Sequence, residues 1–224
     1  MNGVLSVVAT PIGNLEDITL RAIRTLREAD VVFCEDTRVT GKLLQKYEIS
    51  KPLVRCDQKM EEIAAKRAID MLGEGKKIAF VSDAGTPGVS DPGSRLVARV
   101  RRFSPDSKIE TIPGPSALTS ALSIAGLESG EFVFLGFLPH KKGRQTALKE
   151  IGISVRSVVL YESPHRILKL LRELADFAPG KHVTVAKELT KIHEEIFEGL
   201  PSDVAAQLER EGKDLGEFVV IVRE

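Results

Sequence analysis

Three times in its first half the chain carries a short apolar run straight into a loop of glycines and prolines, and each loop opens a helical pattern. The most constraining of the three is Ile78-Ala79-Phe80-Val81 followed by Ser82-Asp83-Ala84-Gly85-Thr86-Pro87-Gly88-Val89-Ser90-Asp91-Pro92-Gly93. A four-residue apolar run bounded by turn residues reads as a buried strand. Leu96, Val97 and Val100 then fall on one side of a helix. A carboxylate, Asp83, is therefore expected where a strand ends, which is where open α/β sheets bind ligands. Glycines let backbone approach a ligand closely, and prolines lower the entropy lost when a ligand orders the loop. A turn with a capping Ser or Asp accounts for a shorter loop; the length and density of this one point to binding.

The same arrangement precedes and follows it. Residues 4–10 form a β-branched run that ends in Pro11-Ile12-Gly13-Asn14, and Asp17 or Thr19 can cap the helix carrying Leu20, Ile23 and Leu26. Ile109-Glu110-Thr111-Ile112 runs into Pro113-Gly114-Pro115-Ser116, where Ser116 would cap a helix over residues 117–125 that is apolar nearly all round and so is expected to be buried. Free N–H groups at its start could face a polar ligand. Between them lie a strand at 31–34 ending in Glu35-Asp36-Thr37-Arg38, a short helix with Leu43, Leu44 and Tyr47, a brief strand at 52–55, and a helix from 61 to 72 stopped by Gly73 and Gly75. Strand and helix alternate, which predicts an α/β domain with a mostly parallel sheet. A boundary is expected near 126–131. Beyond it come strands at 132–135, 157–160, 183–186 and 217–222, with 195–198 as a paired neighbour. One helix is expected with Pro164 in its first turn and Ile167, Leu168, Leu171 and Leu174 as its stripe; another is capped by Ser202. The loop His140-Lys141-Lys142-Gly143-Arg144 is the most basic in the chain.

Composition removes several function classes. Lys+Arg and Asp+Glu both number 32, so nucleic-acid binding by bulk charge is excluded, though a local basic patch is not. Aromatics are 5% with no Trp, which disfavours recognition by base stacking. No apolar run is long enough to cross a bilayer and no export signal opens the chain, so a cytoplasmic protein is expected. Cys34 and Cys56 lack zinc-site spacing, and the 4 histidines are scattered, so no metal is expected.

Seven stretches share one likeness: ATPIGNLEDIT (9–19), EDTR (35–38), VSDAGTPGVSDPG (81–93), PGPSAL (113–118), YESPHRI (161–167), AKELTKIHEE (186–195) and GEFVVIV (216–222). Together they resemble the tetrapyrrole methylase superfamily of S-adenosylmethionine-dependent methyltransferases, and within it the ribosomal RNA small subunit methyltransferase I family. The resemblance covers nearly the whole chain. It implies a two-domain α/β fold, residues 1–126 around a mostly parallel sheet and 127–224 around a mixed one, with the cofactor in the cleft between them. It implies a homodimer that 2′-O-methylates a cytidine ribose in the decoding region of 16S rRNA, as naked RNA or in the small ribosomal subunit. This is not the Rossmann-type methyltransferase, whose G-x-G-x-G after the first strand is missing. Carried over by position, cofactor contacts would come from Pro11, from Asp83, Ala84, Gly85, Thr86, Pro87 and Gly88, and from Ser116 and Ala117. In the second half they would come from Tyr161, from Ala186, Lys187, Glu188 and Leu189, and from Glu217 and Phe218. Longer family members carry a C-terminal extension beyond the last strand; this sequence ends at Glu224.

Methyl transfer from a sulfonium needs a nucleophile held in line and its proton removed. Glu162 is the first candidate for the base, followed by Asp36, Glu188 and His165. Arg38, Lys187 and Arg166 could hold phosphate, with Lys141, Lys142 and Arg144 as further candidates in the basic loop. Each of these residues could equally belong to a structural ion pair. Two rival functions are weighed. A tetrapyrrole C-methyltransferase usually carries G-x-G-P-G-D at the first loop, where this chain has ATPIGNLED. A non-catalytic RNA-binding factor is disfavoured by the zero net charge and the few aromatics.

Overall fold

The computed structural model describes residues 3–91 and 93–224, so Pro92 of the central loop lies outside the described residues. The chain divides into two compact units between Ser116 and Ala117.

The first unit runs β1 (Val4–Val8), α1 (Leu20–Glu28), β2 (Val31–Cys34), α2 (Thr37–Lys46), β3 (Leu53–Arg55), α3 (Glu61–Gly73), β4 (Lys77–Val81), α4 (Ser94–Phe103) and β5 (Lys108–Ile112). Its five strands are parallel in the order β3-β2-β4-β1-β5. Alternating side chains serve two cores. Leu5, Phe33, Ile78 and Phe80 pack with Ala64, Ala68, Leu72, Leu96 and Val100 of α3 and α4. Val8, Val32, Ala79 and Val81 pack with Ala22, Leu26, Leu43 and Leu44 of α1 and α2. Both faces are covered, which is why these strands read as unbroken apolar runs. Burying a side chain such as Phe33 or Phe80 outright contributes about 2–3 kcal/mol. The Thr19 side chain caps α1 by accepting from the Ala22 N–H, and Asp36 caps α2 by accepting from the Arg38 N–H. Leu20 departs from the expected stripe: it is the first residue of α1 and is 86% exposed, and the buried positions are Ala22 and Leu26.

The second unit runs α5 (Ala117–Ile124), β6 (Phe132–Phe137), α6 (Arg144–Ile153), β7 (Ser157–Glu162), α7 (Ile167–Phe177), β8 (His182–Lys187), β9 (Glu195–Gly199), α8 (Pro201–Glu211) and β10 (Phe218–Arg223). The sheet order is β6-β7-β10-β8-β9, with β6 parallel to β7 and the other pairs antiparallel. Leu148, Ile151, Leu170, Leu171, Leu174, Val204 and Leu208 of α6–α8 cover one face, against Val158, Leu160, Val183, Val185, Val220 and Val222. Helix α5 packs against β10 and so belongs to this unit, although the sequence had placed the boundary after it, at 126. Its first turn meets Tyr161, which pairs with Val219, so α5 lies on the opposite face from α6–α8. With one side against the sheet, only Ala121 of α5 is buried and Ile124 is exposed; the expected all-round burial does not occur. Helix α6 was not foreseen, because Leu148 and Ile151 are its only fully buried apolar residues, too few to mark a stripe. Helix α8 begins at Pro201 after Leu200, not at a Ser202 cap, and Pro164 sits in the turn before α7.

Candidate active site

Parallel strands put their carboxyl ends on one edge. Cys34 pairs with Val81, and Val8 pairs with Ile112, so the loops after β1, β2, β4 and β5 leave the first unit's sheet side by side. The loop after β4 is fastened to its neighbours. Thr10 and Gly85 exchange backbone bonds, Thr10 N–H to Gly85 C=O at 2.9 Å and Gly85 N–H to Thr10 C=O at 3.0 Å. The Thr10 hydroxyl donates to the Ser82 C=O at 3.2 Å and the Thr86 hydroxyl to the Pro115 C=O at 3.3 Å. Gly85 holds φ +76°, and a Cβ there would press on Ile12; only glycine takes this conformation without cost. Three of the expected contact stretches, at 11, 83–88 and 116, thus lie along one edge.

Four acids share that edge in different electrostatic states. The Asp36 N–H donates to Asp83 Oδ1 at 3.0 Å. Asp36 itself accepts from the Arg38 N–H at 2.8 Å and pairs with Arg38 Nη2 at 2.5 Å. The Arg38 hydrogen bonds hold its carboxyl far below the usual range. Burial pushes Asp83 up, with the Asp36 N–H bond opposing and the Asp36 charge adding to the rise. Burial likewise raises Asp91 to about 6, with the Ser82 hydroxyl opposing and the Asp83 charge adding. Glu35 is raised by burial, then by the charges of Asp83 and Asp91. Asp91 and Glu35 were not among the expected site residues; Asp91 lay in the quoted loop, and its strand-end company was the signal.

The second unit builds its own edge. Glu162 and Lys187 both pair with Phe218, and Lys187 also pairs with Glu195, so the ends of β7 and β8 and the start of β10 coincide. The expected stretches 161, 186–189 and 217–218 lie there. The Tyr161 hydroxyl accepts from the Leu118 N–H at 3.1 Å, and its ring stands edge-on to Phe134 and Phe137. Glu188, at φ +52°, donates its N–H to the Glu217 C=O at 2.9 Å and accepts the Glu217 N–H at 2.8 Å and Lys191 Nζ at 2.9 Å. Partial burial works to raise its carboxyl, but the bonds from Lys191 and the Glu217 N–H outweigh it and hold the group low. Lys187 is buried with Glu195 3.9 Å away, and Leu189 is buried. The Glu162 side chain is closed to solvent: Oε1 accepts from the Ser163 N–H at 2.9 Å and faces Arg166 Nε at 3.3 Å, while Oε2 has no donor among the described residues. His165 is exposed.

The basic candidates divide. Lys141 and Lys142 are exposed, and Arg38 is exposed but engaged with Asp36. Arg144 is buried, with Nε and Nη2 on Glu173 Oε2 at 2.8 and 2.6 Å and Nη1 on the Pro139 C=O at 3.2 Å. Arg166 is used in the same way, on Glu162, on the Leu138 C=O at 2.6 Å and on His140 Nε2 at 3.3 Å. These two guanidiniums hold the 138–143 loop, a role that sequence cannot separate from phosphate binding.

Residues 4–205 match the family model described as Tetrapyrrole (Corrin/Porphyrin) Methylases. The chain is 44% identical to the Ribosomal RNA small subunit methyltransferase I of Thermotoga maritima, over 98% of each chain. It belongs to the tetrapyrrole methylases, in the ribosomal RNA small subunit methyltransferase I family. The Halalkalibacterium halodurans protein of that name is 45% identical over 98% of this methylase and 75% of its own length. Among solved structures, the uroporphyrin-III-C-methyltransferase of Thermus thermophilus superposes with a TM-score of 0.68 at 22% identity, over 98% of this methylase and 94% of that chain. The methyltransferase CobJ superposes at 0.73 with 21% identity, over 99% and 94%. At such identities these structures establish the fold alone. One Thermus thermophilus structure, at TM-score 0.66 and 21% identity over 99% of this methylase and 97% of that chain, is complexed with S-adenyl homocysteine. The first unit's edge gathers carboxylates beside a loop whose backbone is open to close approach at Gly85.

Proposed function

We infer that this methylase uses S-adenosylmethionine to methylate the 2′-hydroxyl of a cytidine ribose in the decoding region of 16S rRNA. The observation that carries the reading is identity of 44% over 98% of a ribosomal RNA small subunit methyltransferase I and of this chain alike. The cofactor, when bound, supplies an electrophilic methyl group. We propose cofactor contacts on the Asp83–Gly88 loop and the neighbouring loops at Pro11 and Ser116 of the first unit; Tyr161, the 186–189 strand end and Glu217-Phe218 are the candidates in the second. The protein's part is to hold the 2′-oxygen in line and to accept its proton. Among the base candidates, Asp36 and Glu188 are held as anions by Arg38 and Lys191 and are weak proton acceptors. Glu162 keeps an oxygen without a donor, which costs free energy until a hydroxyl fills it. Its carboxylate is shut from solvent, with Arg166 beside its other oxygen. Lys141, Lys142 and Arg38 are the phosphate contacts this reading retains. A homodimer in the cytoplasm completes it; light scattering should return twice the mass of one chain.

The test is transfer of labelled methyl to 30S subunits, with mass mapping of the modified nucleotide. Wild type should yield one 2′-O-methylcytidine, and Asp83→Ala should lose affinity for S-adenosylmethionine. Glu162→Gln should lower kcat by about 10²–10⁴-fold with cofactor affinity unchanged. A Glu162→Gln enzyme that melts early yet turns over normally would make Glu162 a clamp for Arg166 and nothing more.

A further inference from the structure

The loop proposed to carry the cofactor is held at its far end by a residue that lies well outside it. Helix α4 is preceded by Gly93 at its N-cap, which has no side chain to cap it, and residue 93 can be nothing else: at φ +117° a Cβ there would land in the Phe80 ring. The orphan N–H groups of α4 are taken instead by Glu61, the first residue of α3. Glu61 is buried, and its Oε1 accepts from the N–H groups of Gly93 at 3.0 Å, Arg95 at 3.1 Å and Leu96 at 3.2 Å. The N-cap position of α3, Met60, makes no side-chain bond, so this carboxylate also lies at the positive end of its own helix. The loop from Ser82 to Gly93 is therefore fastened at its near end by Thr10 and Thr86 and at its far end by Glu61.

We propose that Glu61 is a positioning residue for the cofactor loop, setting the affinity for S-adenosylmethionine without touching it. Removing its carboxylate takes the acceptor from three N–H groups, two of them buried, and frees the far end of the loop. The loop must then be ordered by the cofactor, and that entropy comes out of binding. The inference rests on the reading that Asp83–Gly88 contacts the cofactor.

Four proteins separate the possibilities: wild type, Glu61→Ala, Glu61→Gln and Asp83→Ala, each titrated calorimetrically with S-adenosylmethionine and assayed on 30S subunits. Glu61→Ala should raise Kd and KM for S-adenosylmethionine by about tenfold, equivalent to one unsatisfied buried donor. Its kcat and its KM for 30S should stay within about twofold, since the chemistry is untouched. Glu61→Gln keeps an acceptor oxygen and should recover wild-type affinity to within about threefold. If Glu61→Ala folds too poorly to titrate, Glu61→Asp withdraws the carboxylate by one methylene and is read in the same way. Wild-type affinity in Glu61→Ala, alongside weakened binding in Asp83→Ala, overturns the role of Glu61 and leaves the loop assignment standing. Wild-type affinity in both variants removes the loop from the site. A lower melting temperature with unchanged Kd would make Glu61 a cap for α4 alone.

Discussion

Four carboxylates lie at the carboxyl edge of the first unit's sheet, and their environments pull them apart. Asp36 is fixed as an anion by Arg38, while Glu35, Asp83 and Asp91 are raised, Asp91 to about 6. A bound cation favours their ionised forms. S-adenosylmethionine, with one more positive charge than S-adenosylhomocysteine, should therefore gain affinity between pH 5 and pH 7 relative to it, by about three- to tenfold. Parallel pH profiles for the two ligands would count against the acids facing the sulfonium. The same raised group bears on stability. An acid whose folded pKa exceeds its unfolded value holds its proton better when folded, so its favourable contribution is present below about pH 4 and is lost as pH rises through 6. Asp91→Asn should stabilise the protein at pH 8 by up to about 1 kcal/mol after solvent screening, and by nothing at pH 4, as read by urea melts. The thiols are the opposite case. Cys34 and Cys56 are buried, and burial, with the Glu61, Cys34 and Asp57 charges adding, pushes Cys56 up to about 12. Neither should react with a maleimide at pH 8 until the protein is denatured, when both should.

At the scale of elements, caps and clamps were legible only when they were local. Thr19 sits next to the helix it caps, and the sequence offered it there beside Asp17. Glu61 serves a helix that starts about thirty residues later, and no spacing rule reaches that far. Arg144 shows the same limit with opposite sign. It looked like part of a basic loop, but its side chain, 5% exposed, joins α6 to Glu173 on α7. Breaking a buried pair leaves an uncompensated charge, so Arg144→Ala should cost about 3 kcal/mol in a denaturant melt. Turnover per folded molecule should be unchanged; a fall in turnover with stability intact would restore Arg144 as a phosphate contact.

At the scale of the whole molecule, fold and function separate. Uroporphyrin and precorrin methyltransferases share this architecture at TM-scores of 0.68 and 0.71 but only 22% and 18% identity. A shared fold supports many substrates, because specificity is carried by residues set on it. The relatives at 40–45% identity are ribosomal RNA methyltransferases by name. Offered uroporphyrinogen and 30S subunits in the same reaction, the protein should transfer labelled methyl to the subunit. Transfer to the tetrapyrrole instead would reinstate the C-methyltransferase reading.

The sequence by itself determined the alternation of strands and helices, the parallel sheet of the first unit and the loops at its edge. Each follows from local periodicity and from glycine and proline, whose backbone limits do not depend on the rest of the chain. It also determined the family, through motifs that span both units. Only the tertiary structure decided which charges are spent internally and which are available. Arg144, Arg166 and Lys191 carry the same charge as Lys141 and Lys142; what separates them is a carboxylate or carbonyl that folding brings within about 3 Å, the reach at which a hydrogen bond forms. The one-sided exposure of α5 and the existence of α6 were decided there too, because burial depends on what packs opposite a helix and not on its own residues.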